Sequence, residues 1–178
     1  MPSSPIRRLG AALTLALSST AQAANPLLVP ATVIVDRPLH DATVQAQILA
    51  ARRYASFWSS GDEALARAAL ADDFTDRTLP PGRAQGLPGP LAAAKLMHAA
   101  IPDLNCQIEQ LLVAGDRVVV HLRFTGHFSG RFGATEGHGQ TVDFIATDIY
   151  RVADGRIADN WHLEDNLTLL RQMQVIAP

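Results

Sequence analysis

The sequence lacks several features on which whole classes of proteins depend. It contains a single cysteine, Cys106, so no disulfide can form within the chain, and a buried structural thiol is expected there. Lysine and arginine form no cluster, and only 6 Phe, 2 Trp and 2 Tyr occur. The chain therefore has neither the basic patch nor the aromatic surface typical of nucleic-acid binding, and we do not expect a nucleic acid as partner.

Long hydrophobic runs are also absent, except for a short one near the N-terminus. Leu9–Leu17 follows Arg7 and Arg8 and precedes an Ala-x-Ala site at 21–23. This is the pattern of a cleaved signal peptide, and the run is too short to span a bilayer. We predict a signal peptide over residues 1–23, general secretion rather than twin-arginine export, and a periplasmic or secreted bacterial protein without a membrane span after cleavage.

The remaining composition is that of one soluble domain. The chain has 178 residues, of which 48% are hydrophobic and 18% charged, and its net charge is −2. This length suits a single domain with a real core. Residues 24–41 contain Pro26, Pro30 and Pro38, which prevent a helix, so we predict an extended arm there and one domain over 42–178.

Apolar spacing predicts three helices in the first half of the domain. Residues 42–60 carry apolar side chains at helical intervals and end before Gly61, and Asp62 is placed to cap a second helix over 63–70. A third helix is predicted over 91–101. The segment between them, 75–90, holds four prolines and three glycines, so we predict an irregular loop that forms one rim of a pocket.

The second half changes to the period-two pattern of strands. Alternation predicts strands over 105–113, 117–128, 141–152 and 156–163, with an Asp-Gly hairpin turn at 154–155, a glycine-rich loop over 129–140 and a closing helix over 166–173. This order predicts an α+β fold. Its N-terminal helices would pack on a curved four-stranded antiparallel sheet and leave a cone-shaped cavity.

Polar residues on the apolar strands are the first candidates for a site. Asp148 is in register with Phe144 and other apolar residues, so it must face a cavity or be paired, for which Arg123 or Arg151 on a neighbouring strand is the alternative. His121 could bind a carbonyl or carboxylate, or lie on the wet outer face. A final set is aromatic and could form either core or substrate contacts: Tyr54, Trp58, Phe144 and Trp161.

The end of the chain resembles a known family. Residues 148–152, 154–157 and 160–165 resemble the C-terminal signature of the SnoaL-like polyketide (ester) cyclases. Ile101–Leu104 resembles that family's Phe-Pro-Asp-Leu segment, and 113–118 its first hairpin turn. The resemblance extends from about Tyr54 to Gln172. It implies the nuclear-transport-factor-2-like fold, which agrees with the order of elements predicted above.

The resemblance also implies a chemistry. Cyclases of this family close a ring by intramolecular aldol condensation, with an Asp as general acid/base and neither metal nor organic cofactor. Asp165 is the match by position in the motif. If Trp161, Leu163 and Phe144 surround it, burial will raise its pKa. His162 could orient Asp165 or act as a second acid/base. Asp165 could instead simply cap the closing helix.

These observations lead to two alternative functions. The first is a small exported cyclase-type enzyme that binds a hydrophobic carbonyl compound and catalyses aldol cyclisation, isomerisation or hydration. The second is a non-catalytic module of the same fold that binds a small molecule or acts as a dimeric scaffold. A metal site is not predicted, because His162 and Asp165 lack a clear third ligand. A homodimer is predicted through the outer sheet face, at Val119, Ile145 and Ile149.

Overall fold

The computed structural model describes residues 27–30, 32–36 and 40–177. The helices are α1 (Asp41–Ser60), α2 (Glu63–Ala69), α3 (Pro88–Ala100) and α4 (Asn166–Gln172). The strands are β1 (Val33–Val35), β2 (Leu70–Asp76), β3 (Asn105–Ala114), β4 (Arg117–Phe128), β5 (Arg131–Phe132), β6 (Thr135–Glu136), β7 (Gln140–Ala153) and β8 (Arg156–Glu164). The predicted signal peptide lies outside the described residues, so it and the predicted location stay predictions.

A mixed sheet organises the described part of the domain. Its strand order is β1-β3-β4-β7-β8-β2, in which β3, β4, β7 and β8 form the predicted antiparallel series. The α+β class is therefore confirmed, but the sheet has six strands rather than four. The additional strands, β1 and β2, lie at the two edges and pair in parallel with β3 and β8.

Alternation along the central strands separates an inner from an outer sheet face. On β4, Val118, Val120 and Leu122 are buried, whereas the side chains between them are more exposed. The inner face packs against α1, where the ring of Tyr54 meets that of Tyr150 edge-on with centroids 5.9 Å apart. The helices thus cover one face of the sheet, as the period-two pattern predicts.

Helix α1 ends where the sequence predicts. Gly61 has φ 71°, and its amide N–H donates to the carbonyl oxygen of Phe57 at 2.8 Å. This left-handed conformation is one that glycine adopts without steric cost. Asp62 then caps α2 by accepting a hydrogen bond from the amide of Ala64 at 2.9 Å. The tight connection holds α2 against α1.

The outer sheet face carries apolar side chains. Ile145 and Ile149 on β7 are 43% and 40% exposed, and Leu163 on β8 is 77% exposed. Ile145 and Ile149 are two of the residues at which the sequence predicts a homodimer contact, and this contact stays a prediction. No helix in the described part of the chain is long and apolar enough to cross a membrane.

The short hairpin of β5 and β6 begins at Gly130, which lies against the end of α3. A Cβ atom on Gly130 would lie 1.9 Å from the carbonyl oxygen of Ala99. The amide N–H of Gly130 donates to the carbonyl oxygen of Ala100 at 2.9 Å. Only glycine permits this approach of two backbones. The contact fixes the C-terminal end of α3, a helix whose other side faces the cavity described below.

We predict that Gly130→Ala destabilises the protein by about 2 kcal/mol or more, because a methyl group must displace backbone atoms of α3. Urea unfolding followed by tryptophan fluorescence measures the change. Gly115→Asn is the matched control, since Gly115 lies at φ 59° with nothing within 4 Å of an added Cβ, and asparagine tolerates that conformation. Equal stability of Gly130→Ala and the wild type would contradict the close approach.

Candidate active site

A cavity of about 210 Å³ lies between the helices and the inner face of the sheet. Most of its wall is apolar, built by Trp58, Pro80, Pro90, Ala93, Met97, Leu104, Leu122, Phe124, Phe144, Ala146 and Leu169. Polar groups also line it, namely Tyr54, Asp76, Arg83, Asp148, His162, Glu164 and Asn166. A largely apolar pocket with a few convergent polar groups is the usual form of a small-molecule site.

Strand pairing brings the titratable groups together. Asp148 on β7 lies directly opposite His162 on β8. Alternation places Glu164 on the same side of β8 as His162. On the other edge of β8, the parallel pairing of β2 sets Asp76 beside Asn160. Three strands therefore deliver three carboxyl groups and one imidazole to the same region of the cavity.

His162 is held between two carboxylates. Its Nδ1 lies 2.6 Å from Oε1 of Glu164, and its Nε2 lies 3.1 Å from both carboxylate oxygens of Asp76. Both ring nitrogens can donate only when the ring is an imidazolium. Burial opposes that charge, but hydrogen bonds and charge attraction from Glu164 and Asp76 outweigh it and raise the pKa of His162 to about 9. His162 is therefore a fixed cation at neutral pH.

Asp148 is buried, and among the residues that the structure describes no basic side chain hydrogen-bonds to it or pairs with it. It is 5% exposed, and its Oδ2 accepts a hydrogen bond from the hydroxyl of Tyr150 at 2.8 Å. Burial raises the pKa of Asp148 to about 6, although the Tyr150 hydroxyl and the charge of His162 favour the ionised form. Desolvation disfavours the carboxylate more than the hydrogen bonds from Tyr150 and Asn160 and the charge of His162 favour it. Asp148 therefore exchanges its proton near neutral pH.

The loop between β2 and α3 is tied to the sheet beneath it. Asp159 on β8 is 1% exposed and accepts hydrogen bonds from Arg77 and Arg151. Burial opposes the charge of Asp159, but the two guanidinium groups outweigh it and lower its pKa. Gln85 folds back onto Asp76, accepting from its amide at 2.7 Å and donating to its carbonyl oxygen at 3.0 Å. These contacts fix Asp76 beside His162.

The surroundings predicted for Asp165 are wrong. Asp165 does not line the cavity; its carboxylate accepts hydrogen bonds from the amide of Thr168 at 3.0 Å and from the Thr168 hydroxyl at 2.6 Å. These bonds lower its pKa instead of raising it. It is the N-cap of α4, which is the alternative that the sequence left open. Asp165 is an even number of positions from Trp161 and Leu163 and an odd number from His162, so alternation places it on the side of β8 opposite to His162.

Most of the other sequence-predicted residues line the cavity. Tyr54, Trp58, Phe144, Asp148 and His162 line the cavity, and their roles there stay predictions. His121 and Trp161 do not line the cavity and lie on the outer face of the sheet. His121 contacts the hydroxyl of Thr147 at 2.9 Å, and the guanidinium of Arg117 lies 5.6 Å from the Trp161 ring centroid.

The alternative proposed for Asp148, an ion pair, is also wrong. Arg123 pairs with Asp143 on the outer face, and Arg151 pairs with Asp159. Arg151 is an odd number of positions from Asp148 along β7. Arg123 pairs with Ile145, which is also an odd number of positions from Asp148. Both arginines therefore lie on the other side of the sheet. Asp148 is left facing the cavity.

Sequence reasoning missed one charged residue of the cavity, Arg83, which falls in a segment predicted to be an irregular loop. Asp76 falls in the same predicted loop, but in the structure it ends β2. Glu164 shares the parity of His162 along β8, and this alternation places both side chains on one face of the strand. No group of three or more His, Cys, Asp or Glu within the described ranges is arranged to hold a metal ion.

The comparisons with known proteins agree on one family. The family model for SnoaL-like polyketide cyclases matches residues 48–173. A candidate polyketide cyclase from Bacillus cereus ATCC 10987 is 38% identical, with a TM-score of 0.78 over 85% of this chain and 95% of that one. A comparison with curated proteins found no match.

Two proteins from Streptomyces have similar structures. TsrD from Streptomyces laurentii is 25% identical, with a TM-score of 0.67 over 78% of this chain and 99% of that one. IdmH, a candidate polyketide cyclase from Streptomyces antibioticus, is 24% identical, with a TM-score of 0.64 over 76% of this chain and 99% of that one. At this identity, the likeness to IdmH shows the fold alone.

We predict that Asp148→Asn stabilises the fold at pH 8 by about 2–3 kcal/mol. The pKa of Asp148 rises from 3.8 to about 6 on folding, so the wild type loses stability as the pH rises through that interval and this carboxyl ionises. An amide avoids the loss and still accepts from Tyr150. Urea unfolding at pH 4 and pH 8 measures the difference, which should shrink at pH 4, where the wild-type carboxyl is protonated.

Asp165→Asn is the control for this prediction, with the opposite sign. The pKa of Asp165 is lowered by Thr168, so its charge stabilises the fold above the unfolded pKa and that contribution is lost as the pH falls. The variant should therefore be less stable than the wild type at pH 8. A destabilised Asp148→Asn protein at pH 8 would show that the buried carboxylate is favourable.

Proposed function

Because the chain belongs to the SnoaL-like polyketide cyclase family, we propose that it is a cyclase-type enzyme acting on a carbonyl compound bound in the cavity. Proton transfer by Asp148 is the centre of this proposal. The observation that carries it is a buried carboxyl whose pKa is about 6, in a largely apolar cavity. A general base works best when its pKa lies near the working pH.

The proposed reaction is an intramolecular aldol addition. The Asp148 carboxylate removes a proton from the carbon next to a carbonyl, which breaks a C–H bond and gives an enolate. The enolate carbon attacks a second carbonyl of the same molecule, forming the C–C bond of the ring and an alkoxide. Protonated Asp148 returns the proton to that alkoxide. Atoms and charge balance, and Asp148 regains its starting state.

His162 supplies fixed positive charge to this reaction. Its ring lies opposite Asp148 on the next strand, and the carboxylates of Asp76 and Glu164 occupy both of its nitrogens. It therefore acts as a positioned cation rather than as the proton carrier. A cation fixed before the reaction stabilises negative charge that develops on the substrate without reorganising.

The buried tyrosines support the same assignment. Burial raises the pKa of both Tyr54 and Tyr150, so each stays a neutral hydroxyl. Tyr150 donates to Asp148 and holds one carboxylate oxygen in place. The apolar wall would exclude water from the enolate.

The non-catalytic alternative receives no support from these comparisons. A purely structural module has no use for a carboxyl that is buried without a basic partner, since burying it opposes folding. Such perturbed groups in a cleft are typical of active sites.

We predict that the wild type accelerates hydrogen–deuterium exchange next to the carbonyl of 4-phenylbutan-2-one in D₂O, measured by proton NMR. Asp148→Asn should slow the catalysed exchange by about 100-fold or more, because the variant has no group to take the proton. Asp165→Asn is the control and should keep the wild-type rate, since asparagine also caps helices. Wild-type exchange no faster than in buffer, or an equal loss in both variants, would contradict the proposal.

The pH dependence of this catalysed exchange gives a second prediction. The rate should rise with a midpoint near pH 6 as Asp148 loses its proton, and fall with a midpoint near pH 9 as His162 loses its charge. His162→Gln should remove the alkaline limb. The measurement is the exchange rate from pH 4.5 to 10 after subtraction of the buffer rate. A catalysed rate that is flat between pH 5 and 7 would exclude Asp148 as the base.

A further inference from the structure

Arg83 is a cation in the cavity that no described residue neutralises. Its side chain lines the cavity and is half-buried. Within residues 27–30, 32–36 and 40–177, its guanidinium takes part in no hydrogen bond or ion pair. A guanidinium group offers five donors, and leaving them unpaired in a partly desolvated position costs free energy.

The position of Arg83 is built into the turn before α3. Its amide N–H donates to the carbonyl oxygen of Pro80 at 3.1 Å. A Cβ on Gly89 would lie 3.2 Å from Cγ and 3.4 Å from Cδ of Arg83, and 2.3 Å from the carbonyl oxygen of Ala84. The bare backbone of Gly89 therefore lets the aliphatic stem of Arg83 lie across the first turn of α3. A packed stem reduces the freedom that the guanidinium would lose on binding a ligand.

The acidic groups of the cavity are committed elsewhere. Asp76 and Glu164 both contact His162. Burial raises the pKa of Glu164, but His162 and, to a smaller extent, Arg83 lower it overall. Arg83 thus acts on Glu164 over a distance without contacting it. Asp148 faces the ring of His162 from the next strand. A ligand is therefore the natural source of a counter-ion for Arg83.

We propose that Arg83 binds a carboxylate of the substrate, so that the substrate is an apolar carbonyl compound carrying a free acid group rather than its ester. This inference rests on the proposed function. Arginine presents two parallel N–H donors that match a carboxylate, and such pairs are stronger than neutral hydrogen bonds. The apolar wall takes the body of the molecule, and the acid on Arg83 sets which carbon lies near Asp148.

The test compares a carboxylate with its own ester. 4-Phenylbutanoate and methyl 4-phenylbutanoate share the apolar body and differ in the charge that Arg83 would recognise. Isothermal titration calorimetry of the full chain at pH 7.5 gives both dissociation constants. We expect the wild type to bind the acid at least 10-fold more tightly than the ester.

Two variants assign this preference to Arg83. Arg83→Gln should weaken binding of the acid at least 10-fold and change binding of the ester less than 3-fold, which also shows that the cavity is intact. Arg67→Gln is the matched control, because Arg67 is exposed on α2 and paired with Glu63; it should bind both compounds like the wild type.

Three outcomes would overturn the inference. They are failure of the wild type to bind the acid at millimolar concentration, equal affinity for acid and ester, and an Arg83→Gln variant that keeps the preference for the acid. None of these depends on turnover. If the wild type does not accelerate deuterium exchange but still prefers the acid to the ester, the proposed chemistry is contradicted. The role of Arg83 in binding the carboxylate would still hold.

Discussion

The arrangement of the cavity depends on one imidazolium ring held between two carboxylates. His162 and Glu164 come from β8, whereas Asp76 comes from the end of β2 at the sheet edge. Opposite charges at this range attract by about 4 kcal/mol at the effective dielectric of a protein surface, against about 1 kcal/mol in water. Removing one partner would leave buried charge uncompensated. The ring thereby joins the edge strand, and the loop that follows it, to the floor of the cavity.

The same pairing determines the behaviour of Asp148. Because His162 directs both N–H groups at other carboxylates, it offers Asp148 charge attraction without a hydrogen bond. Burial therefore dominates, and the Asp148 carboxyl is left with a pKa of about 6, close to neutral pH. Asp159 shows the contrast, since two arginines contact it directly and its pKa is lowered despite comparable burial. Two buried acids on neighbouring strands thus differ because two guanidinium groups contact Asp159, whereas the groups that hydrogen-bond to Asp148, the Tyr150 hydroxyl and the Asn160 side chain, are neutral.

The sequence predicts the hairpin of β7 and β8 well and the edge strands poorly. Alternation over both strands and an Asp-Gly turn, with φ 50° and 72° at Asp154 and Gly155, are local signals that specify register. Strand β2 has no such signal: two successive aspartates interrupt it, and it pairs in parallel with a strand more than 80 residues later in the chain. Such pairing depends on tertiary contacts. The local pattern therefore predicts a loop at Asp76 and gives no sign that this residue contacts His162.

Strand parity explains why the carboxyl to which the motif points lies outside the cavity. His162 and Glu164 differ by two positions and share a face, whereas Asp165 is an odd number of positions from His162 and starts α4. Without a bulge between them, both cannot enter the same cavity. Position in a motif determines where a carboxyl lies along the chain, but the face of the sheet determines whether it is desolvated. Asp165 instead anchors α4, which places Leu169 in the cavity wall, while the desolvated acid is Asp148 on the neighbouring strand.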